Sequence, residues 1–442
     1  MPIRLERRAN HPGALIVVLV ALLAPAGTTA QQAIVPLQLS FSDPGARSMG
    51  FGGAFVALAD DATAAFANPA GLVQLIRPEV SVEGRYWDYS TPYTVGGRIE
   101  GEPSGFGIDD TDGLRSANSG EQKTGLSFLS VAYPTGDWSF AIYRHQFADF
   151  EFSAETQGLF FDDPDGLIDR ELDQRVSTDL DYVTYGLSAA YRVTDSFDLG
   201  LGIVYHDAEI DTFAAQYVWD DDSVESFFSP NSYLSENLVI SQDSTMDDTD
   251  WTVTGGFLWR LSDSLSVGGV YRQGAELENS LRVFAGEAVD FGVPPGTVLA
   301  ELSGVEIEFP KTYGLGFAYR APDGRVTASF QWTHVEYSSI VDSLELDDQT
   351  IDDVDELHFG GEYVFLDATP IIAVRLGLWW EPDHQMRATS DDPLTRALLP
   401  RGDDQMHYTG GLGVVMQNFQ IDAGLDLADQ VNTVSVSAIY SF

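Results

Sequence analysis

From residue 79 onward, fourteen segments of alternating apolar and polar side chains are joined by connections that are alternately long and short. They begin near Glu79–Tyr89 and include Trp138–Phe152, Tyr182–Val193, Leu265–Leu277, Thr312–Arg320 and Ile371–Glu381, and the last follows Asp429. Side chains that repeat every two residues with one apolar face mark a strand buried on one side. In Ile371–Glu381, for example, Ile372, Val374, Leu376, Leu378 and Trp380 oppose Ala373, Arg375 and Gly377. A soluble sandwich gives no reason for the long–short alternation of connections. A membrane barrel does, with tight turns on one side and long polar loops on the other.

Beyond residue 30 no apolar run reaches the ~20 residues that a helix needs to cross a bilayer. Insertion therefore demands a closed barrel, because lipid offers an open strand edge no partner. In such a barrel Phe317, Leu376 and Leu425 face acyl chains, while Gly, Ser and charged residues line the lumen. The expected fold is all-β: a 14-stranded antiparallel transmembrane β-barrel over residues 78–442, preceded by an N-terminal hatch, residues 31–77, that plugs the lumen. The chain closes on Tyr440-Ser441-Phe442, similar to the signal by which barrel-assembly machinery recognises its clients.

Arg4, Arg7 and Arg8 precede the apolar run Ala14–Ala24 and the small residues Thr28-Thr29-Ala30, so residues 1–30 read as a cleaved secretory signal peptide. The expected location is the outer membrane, among its lipids and lipopolysaccharide. There is no cysteine, which excludes a lipoprotein and a disulfide scaffold. With 68 acidic against 23 basic residues and a formal net charge of -45, nucleic acid is a poor partner. Acid gathers in the inserts, as in Asp162-Asp163-Pro164-Asp165 and Asp220-Asp221-Asp222. Solvated loops are the plain explanation, and divalent cations bridging to lipopolysaccharide the sharper one. Asp163-Pro164-Asp165-Gly166 is only a fragment of a calcium loop. The seven histidines are scattered, and neither Gly-x-Ser-x-Gly nor His-Glu-x-x-His occurs, so no enzyme and no cofactor is expected.

Residues 31–77 do not alternate. From Gly45 to Leu72 they are dense in Gly and Ala, with Asp60-Asp61 followed by Asn68-Pro69-Ala70. Small residues let backbone approach a wall closely. A short helix is expected over Asp60–Phe66, ended by Asn68-Pro69. The segment suits a lumenal plug, and a periplasmic leader outside the barrel is the alternative. The run resembles the hatch of the FadL/TodX family of outer-membrane hydrocarbon transporters, with Asn68, Pro69 and Ala70 as the hatch box. The likeness is sharp there and diffuse along the barrel. It implies passive uptake of long-chain fatty acids or other hydrophobic compounds. Cargo would pass through an apolar lumenal pocket and leave sideways at a kinked third strand, and movement of the hatch would open the path.

The third strand, Trp138–Phe152, tests that implication. Trp138, Phe140 and Ile142, and at the far end Phe150 and Phe152, set an outward parity that places Arg144 and Gln146 against lipid. An arginine there costs ~2–4 kcal/mol. A bulge or kink at Arg144, His145, Gln146 and Phe147 that turns Arg144 inward would remove the cost and form the lateral opening. Snorkelling of Arg144 to the headgroups is the alternative.

Met49, Phe51, Phe55 and Val56 of the hatch either line the pocket or seal hatch to wall. Arg85, Arg272 and Arg375 project into the lumen, where they would suit a carboxylate cargo or pair with Glu83, Glu276, Glu362 or Glu381. The acidic balance also admits neutral hydrocarbons. Two other readings use the same barrel: a protein-secretion or surface-attachment partner without small-molecule transport, and a general porin, which would need an open aqueous channel.

Overall fold

In the computed structural model the alternating segments form fourteen antiparallel strands that close on themselves. The structure describes residues 43–162, 165–344 and 348–442. The expected signal peptide, residues 31–42 of the expected hatch, and Asp163-Pro164 of the acidic run lie outside the described residues.

The first six strands are β1 (Glu79–Arg98), β2 (Leu114–Thr135), β3 (Trp138–Glu155), β4 (Asp173–Thr194), β5 (Phe197–Tyr217) and β6 (Leu238–Arg260). Strands β7 (Leu265–Arg272 and Glu276–Ala285) and β8 (Val298–Glu308 and Thr312–Arg320) each come in two pieces. The rest are β9 (Val326–Val335), β10 (Val354–Phe365), β11 (Ile371–Glu381), β12 (Gln405–Met416), β13 (Phe419–Leu427) and β14 (Val431–Ser441). β14 pairs with β1 from Glu79↔Ser441 to Tyr89↔Val431, which leaves the barrel no edge. Leu376 is 71% exposed on the outer face and Trp251 66%, while Ser435, Asp422 and Arg375 are buried inside. So much apolar surface is tolerable only against lipid. Trp251 and Trp259, eight residues apart on β6, are about 26 Å of strand from each other, the spacing of two aromatic girdles.

Several strands are longer than the sequence indicates. β1 runs to Arg98 rather than Tyr89 and has 20 residues, and β2, β4, β5 and β6 have more than 20 each. About 9–11 residues suffice to cross the bilayer. Their upper halves therefore stand above the membrane, and there the chemistry inverts. In β4, Val176, Leu180 and Tyr182 point inward and Asp179 and Asp181 outward; lower down, Ser188 and Ala190 point inward and Leu187 and Tyr191 outward. The strand keeps its parity, and only the solvent outside has changed. The inward apolar residues join Phe160, Trp219, Phe227 and Phe228 of the loops in a core that roofs the lumen.

β3 inverts differently. A register shift against β4 between Gln146 and Ala148 inserts one extra residue, so Phe150 and Phe152 are buried inside rather than facing lipid. A one-residue slip exchanges the two faces of a strand. Two further expectations change in β7 and β8. Leu265–Leu277 is not continuous, and β8 begins well before Thr312. Pro310 has no N–H to donate, and a side chain at Gly274 would lie 1.9 Å from the Phe309 carbonyl. Across the β7 break, Asp250 and Asp248 accept from the Glu276 and Glu278 N–H groups in place of ladder carbonyls.

The N-terminal segment holds two short helices, α1 (Ala46–Gly50) and α2 (Ala64–Ala67), then a 3-10 turn over Pro69–Gln74. The expected helix over Asp60–Phe66 starts later because the Asp61 carboxylate accepts from Thr63 N at 2.9 Å and holds a turn there. α1 packs on β11 to β14 and the 3-10 turn on β4 to β6, so the segment reaches across the lumen. Glycines on the inner wall make room for it. A Cβ on Gly200 would lie 2.2 Å from Ala70 N, and one on Gly360 2.2 Å from the Phe51 carbonyl.

Candidate functional site

Polar wall side chains fasten this segment to the barrel. Gln331 Oε1 accepts from Phe55 N at 3.0 Å and Val56 N at 2.9 Å, and Ser188 Oγ donates to the Ala65 carbonyl at 2.7 Å. Asn68 accepts from Ala70 N at 3.2 Å and donates to the carbonyls of Val56 and Phe257 at 2.9 and 3.0 Å. Pro69 opens the 3-10 turn, where its missing N–H costs nothing. Ion pairs link the same parts: Arg320–Asp60 at 2.7 Å, Arg47 with Asp60, and Arg47–Glu362 at 3.7 Å. Burial alone would push the Asp60 carboxyl up, but Arg47 and Arg320 outweigh it and hold the group below the usual carboxylate range. Burial prevails at Asp61, whose carboxyl is raised.

Above the segment and below the roof lies a cavity of about 110 Å³. Near β3 it is lined by Phe66, Tyr143, Phe147 and Tyr182, with the Phe147 and Tyr182 rings 5.0 Å apart. At the opposite end stand Tyr337, Glu356, His358, Trp379 and Asp426. His358, Trp379 and His407 stack there, with ring centroids 5.1 and 3.7 Å apart. Thr184, opposite His145 of β3, belongs to the first end, and between the ends are Asp43, Arg272 and the β7 break, Gln273 to Ala275.

Of the residues singled out from sequence, Met49, Arg272 and Phe147 lie on this cavity. Phe51, Phe55 and Val56 do not; they are buried between segment and wall. Arg85 pairs with Glu83 at 2.7 Å, and Arg375 pairs with both Glu362 and Asp422 at 2.7 Å. Arg272 meets Asp43 at 3.2 Å and the Ala67 carbonyl at 2.9 Å. Glu276 and Glu381, weighed as partners for these arginines, are not in those pairs. Sequence reasoning missed Phe66, Tyr182, Trp379, Glu356 and Asp426. Their only signal is inward parity, for Tyr182 on a strand whose apolar face changes sides and for Glu356, Trp379 and Asp426 on strands that keep theirs, or, for Phe66, a place beside Asn68-Pro69-Ala70. Among the described residues no group of three or more His, Asp or Glu is placed to hold a metal ion.

At β3 the bulge coincides with the end of pairing to β2, whose ladder stops at Phe128↔His145. Arg144 keeps the outward parity instead of turning in. It donates to the Leu126 carbonyl, which the missing ladder leaves available, and to Gln146 Oε1 at 2.6 Å. His145 is fully buried against Phe66, at 4.4 Å between ring centroids. Phe147 turns inward onto the cavity.

The chain is similar in structure to the crystal structure of a Pseudomonas aeruginosa FadL homologue, with TM-score 0.62 and 17% identity over 91% of this chain and 100% of that one. It is also similar to the CymD monoaromatic hydrocarbon channel, with TM-score 0.51 and 15% identity over 90% and 97% of the two chains. At such identities the likeness speaks for the fold. No curated protein shows significant similarity to the sequence. The family profile described as outer membrane protein transport protein (OMPP1/FadL/TodX) matches residues 24–437, and the chain belongs to that family of outer-membrane transporters of hydrophobic compounds.

Proposed function

We propose that the protein passes hydrophobic compounds inward, passively, through the cavity and out at the β2–β3 seam, with the N-terminal segment acting as the hatch. One observation carries this reading: the cavity, closed below by that segment, adjoins the β3 bulge through Phe147 just where the β2–β3 ladder ends. Its volume of about 110 Å³ is on the scale of one aromatic ring, since a cavity of ~150 Å³ accepts benzene. A long-chain fatty acid would have to displace hatch side chains, so compact cargo is favoured. Outer-membrane lipids and lipopolysaccharide surround the barrel in this reading, and the terminal Phe442 serves the assembly machinery. The capped extracellular end is what an attachment partner would use, but a filled lumen, which that alternative favours, is at odds with the cavity.

The test is uptake of toluene and of palmitate into proteoliposomes by wild type and by a variant lacking Phe147, which removes the bulge. Wild type is expected to accelerate entry of at least one of them, and the deletion to lower that rate about tenfold while the barrel still migrates as folded. No acceleration by wild type overturns the reading.

A further inference from the structure

We infer, resting on the transport reading, that the cavity selects compact apolar rings that carry a hydrogen-bond donor, phenols in chemical class, over plain hydrocarbons and over carboxylates. Two of the three lumenal arginines that would attract a carboxylate, Arg85 and Arg375, are ion-paired off the cavity. Arg272, on its wall, gives Nη2 to Asp43 and to hatch carbonyls while its Nε reaches no partner, and Asp43, Glu356 and Asp426 on the same wall outnumber it and repel a carboxylate.

The end remote from β3 is rich in acceptors. His407 has Asp426 Oδ1 at 3.0 Å from Nδ1 and Glu381 Oε2 at 3.1 Å from Nε2. His358 has the Gly52 carbonyl at 2.8 Å and Glu356 Oε2 at 3.1 Å. Every one of these ring nitrogens faces an oxygen, so each donates when it bears a proton. Three carboxylates, Glu356, Glu381 and Asp426, thus stand against two imidazole rings. Glu356 and Asp426 both lie on the cavity. The two oxygens of a carboxylate accept about four hydrogen bonds. Asp426 spends one on His407 and one on the Trp379 indole N–H at 3.1 Å, which leaves capacity toward the cavity.

One hydroxyl points the same way independently. Ser48 Oγ of α1, which packs on β11 to β14, lies on the cavity, is 1% exposed and reaches no partner in the protein. A buried hydroxyl left unpaired is costly, and a ligand hydroxyl relieves it whereas a hydrocarbon does not. The aromatic rings of Phe66, Phe147 and Tyr182 supply the apolar part of the site, and Trp379, stacked between two imidazoles, offers only its edge.

The experiment uses three ligands of one shape: toluene, p-cresol and p-toluate. Each is titrated calorimetrically into the full-length protein in detergent at neutral pH, with empty micelles as blank. The expected result is that p-cresol binds at least tenfold more tightly than either of the others, and that E356Q and D426N reduce its advantage over toluene to less than threefold. Retention of the folded, heat-modifiable gel band shows that the variants are intact. Toluene equal to p-cresol, or p-toluate the tightest, overturns the selectivity and leaves transport standing. Binding of none of the three overturns it as well, and loss of proteoliposome uptake alongside would take the transport reading with it.

Discussion

The side-chain amide of Asn68 lies 3.0 Å from the Phe257 carbonyl on β6, so the Asn68-Pro69-Ala70 turn is fastened to the barrel wall. The same side chain bonds Val56 and Ala70 within the segment. Asn68→Ala removes three bonds, two of them buried, and leaves two carbonyls short, a loss of about 2–4 kcal/mol. The expected outcome is faster hydrogen exchange over residues 43–77 with unchanged exchange in β10 to β14. Equal protection in wild type and variant would contradict it.

Close approach at the wall glycines makes a steric prediction. Gly200→Val places side-chain atoms where Ala70 N already sits, 2.2 Å from the new Cβ, and backbone cannot yield as a flexible side chain can. The segment is expected to be displaced and single-channel conductance in planar bilayers to rise. Gly410→Ala is the control, because its Cβ meets nothing within 4 Å and conductance should stay at the wild-type level.

How legible this was from sequence depended on whether one solvent or two bathed a strand. β10 to β14 meet lipid along most of their length, and the apolar faces read from Leu376 and Leu425 are the outward faces observed. β4 passes from lipid into water, so Leu180 and Leu187 occupy opposite faces of one unbroken strand. Period two persists while its apolar side changes, and the upper half reads as insert. In β3 the reverse holds: Ile142 and Phe150 share parity in sequence and opposite faces in space, because one residue of bulge intervenes. The unfavourable place of Arg144 located that irregularity, although the residues that turned inward were Phe150 and Phe152. The cavity was the least legible part. Its far end joins Glu356 of β10, Trp379 of β11 and Asp426 of β13, a meeting that only barrel closure creates.

Asp60 gives a pH dependence. Its folded-state pKa is depressed, so its ion pairs with Arg47 and Arg320 contribute fully above about pH 4, where the unfolded carboxylate is also ionised, and are lost as pH falls through the lower folded value. Hydrogen-exchange protection of residues 43–77 is therefore expected to hold down to about pH 4 and then decline. Asp60→Asn should lower protection at neutral pH by about 2–3 kcal/mol and flatten the acid decline. An undiminished acid decline in the variant would assign the dependence to another group.

Lys123 makes the last prediction, about the β2–β3 seam. Above Phe128↔His145 the two strands share no ladder, and Lys123 of β2 reaches Asp149 and Glu151 of β3 and Asp179 of β4 at 3.4, 3.2 and 3.4 Å. The Ser153 N–H donates to Ser119 Oγ across the same gap at 3.0 Å. Side chains thus do there what backbone does elsewhere, and three half-exposed ion pairs at ~0.2–1 kcal/mol each are far weaker than a ladder. Lys123→Ala leaves three carboxylates facing one another across the seam, which repel. Uptake limited by passage at the seam should then rise severalfold in proteoliposomes, and high salt should raise wild-type uptake toward the variant's by screening the same pairs. A variant slower than wild type, or wild-type uptake indifferent to salt, would place the limiting step elsewhere.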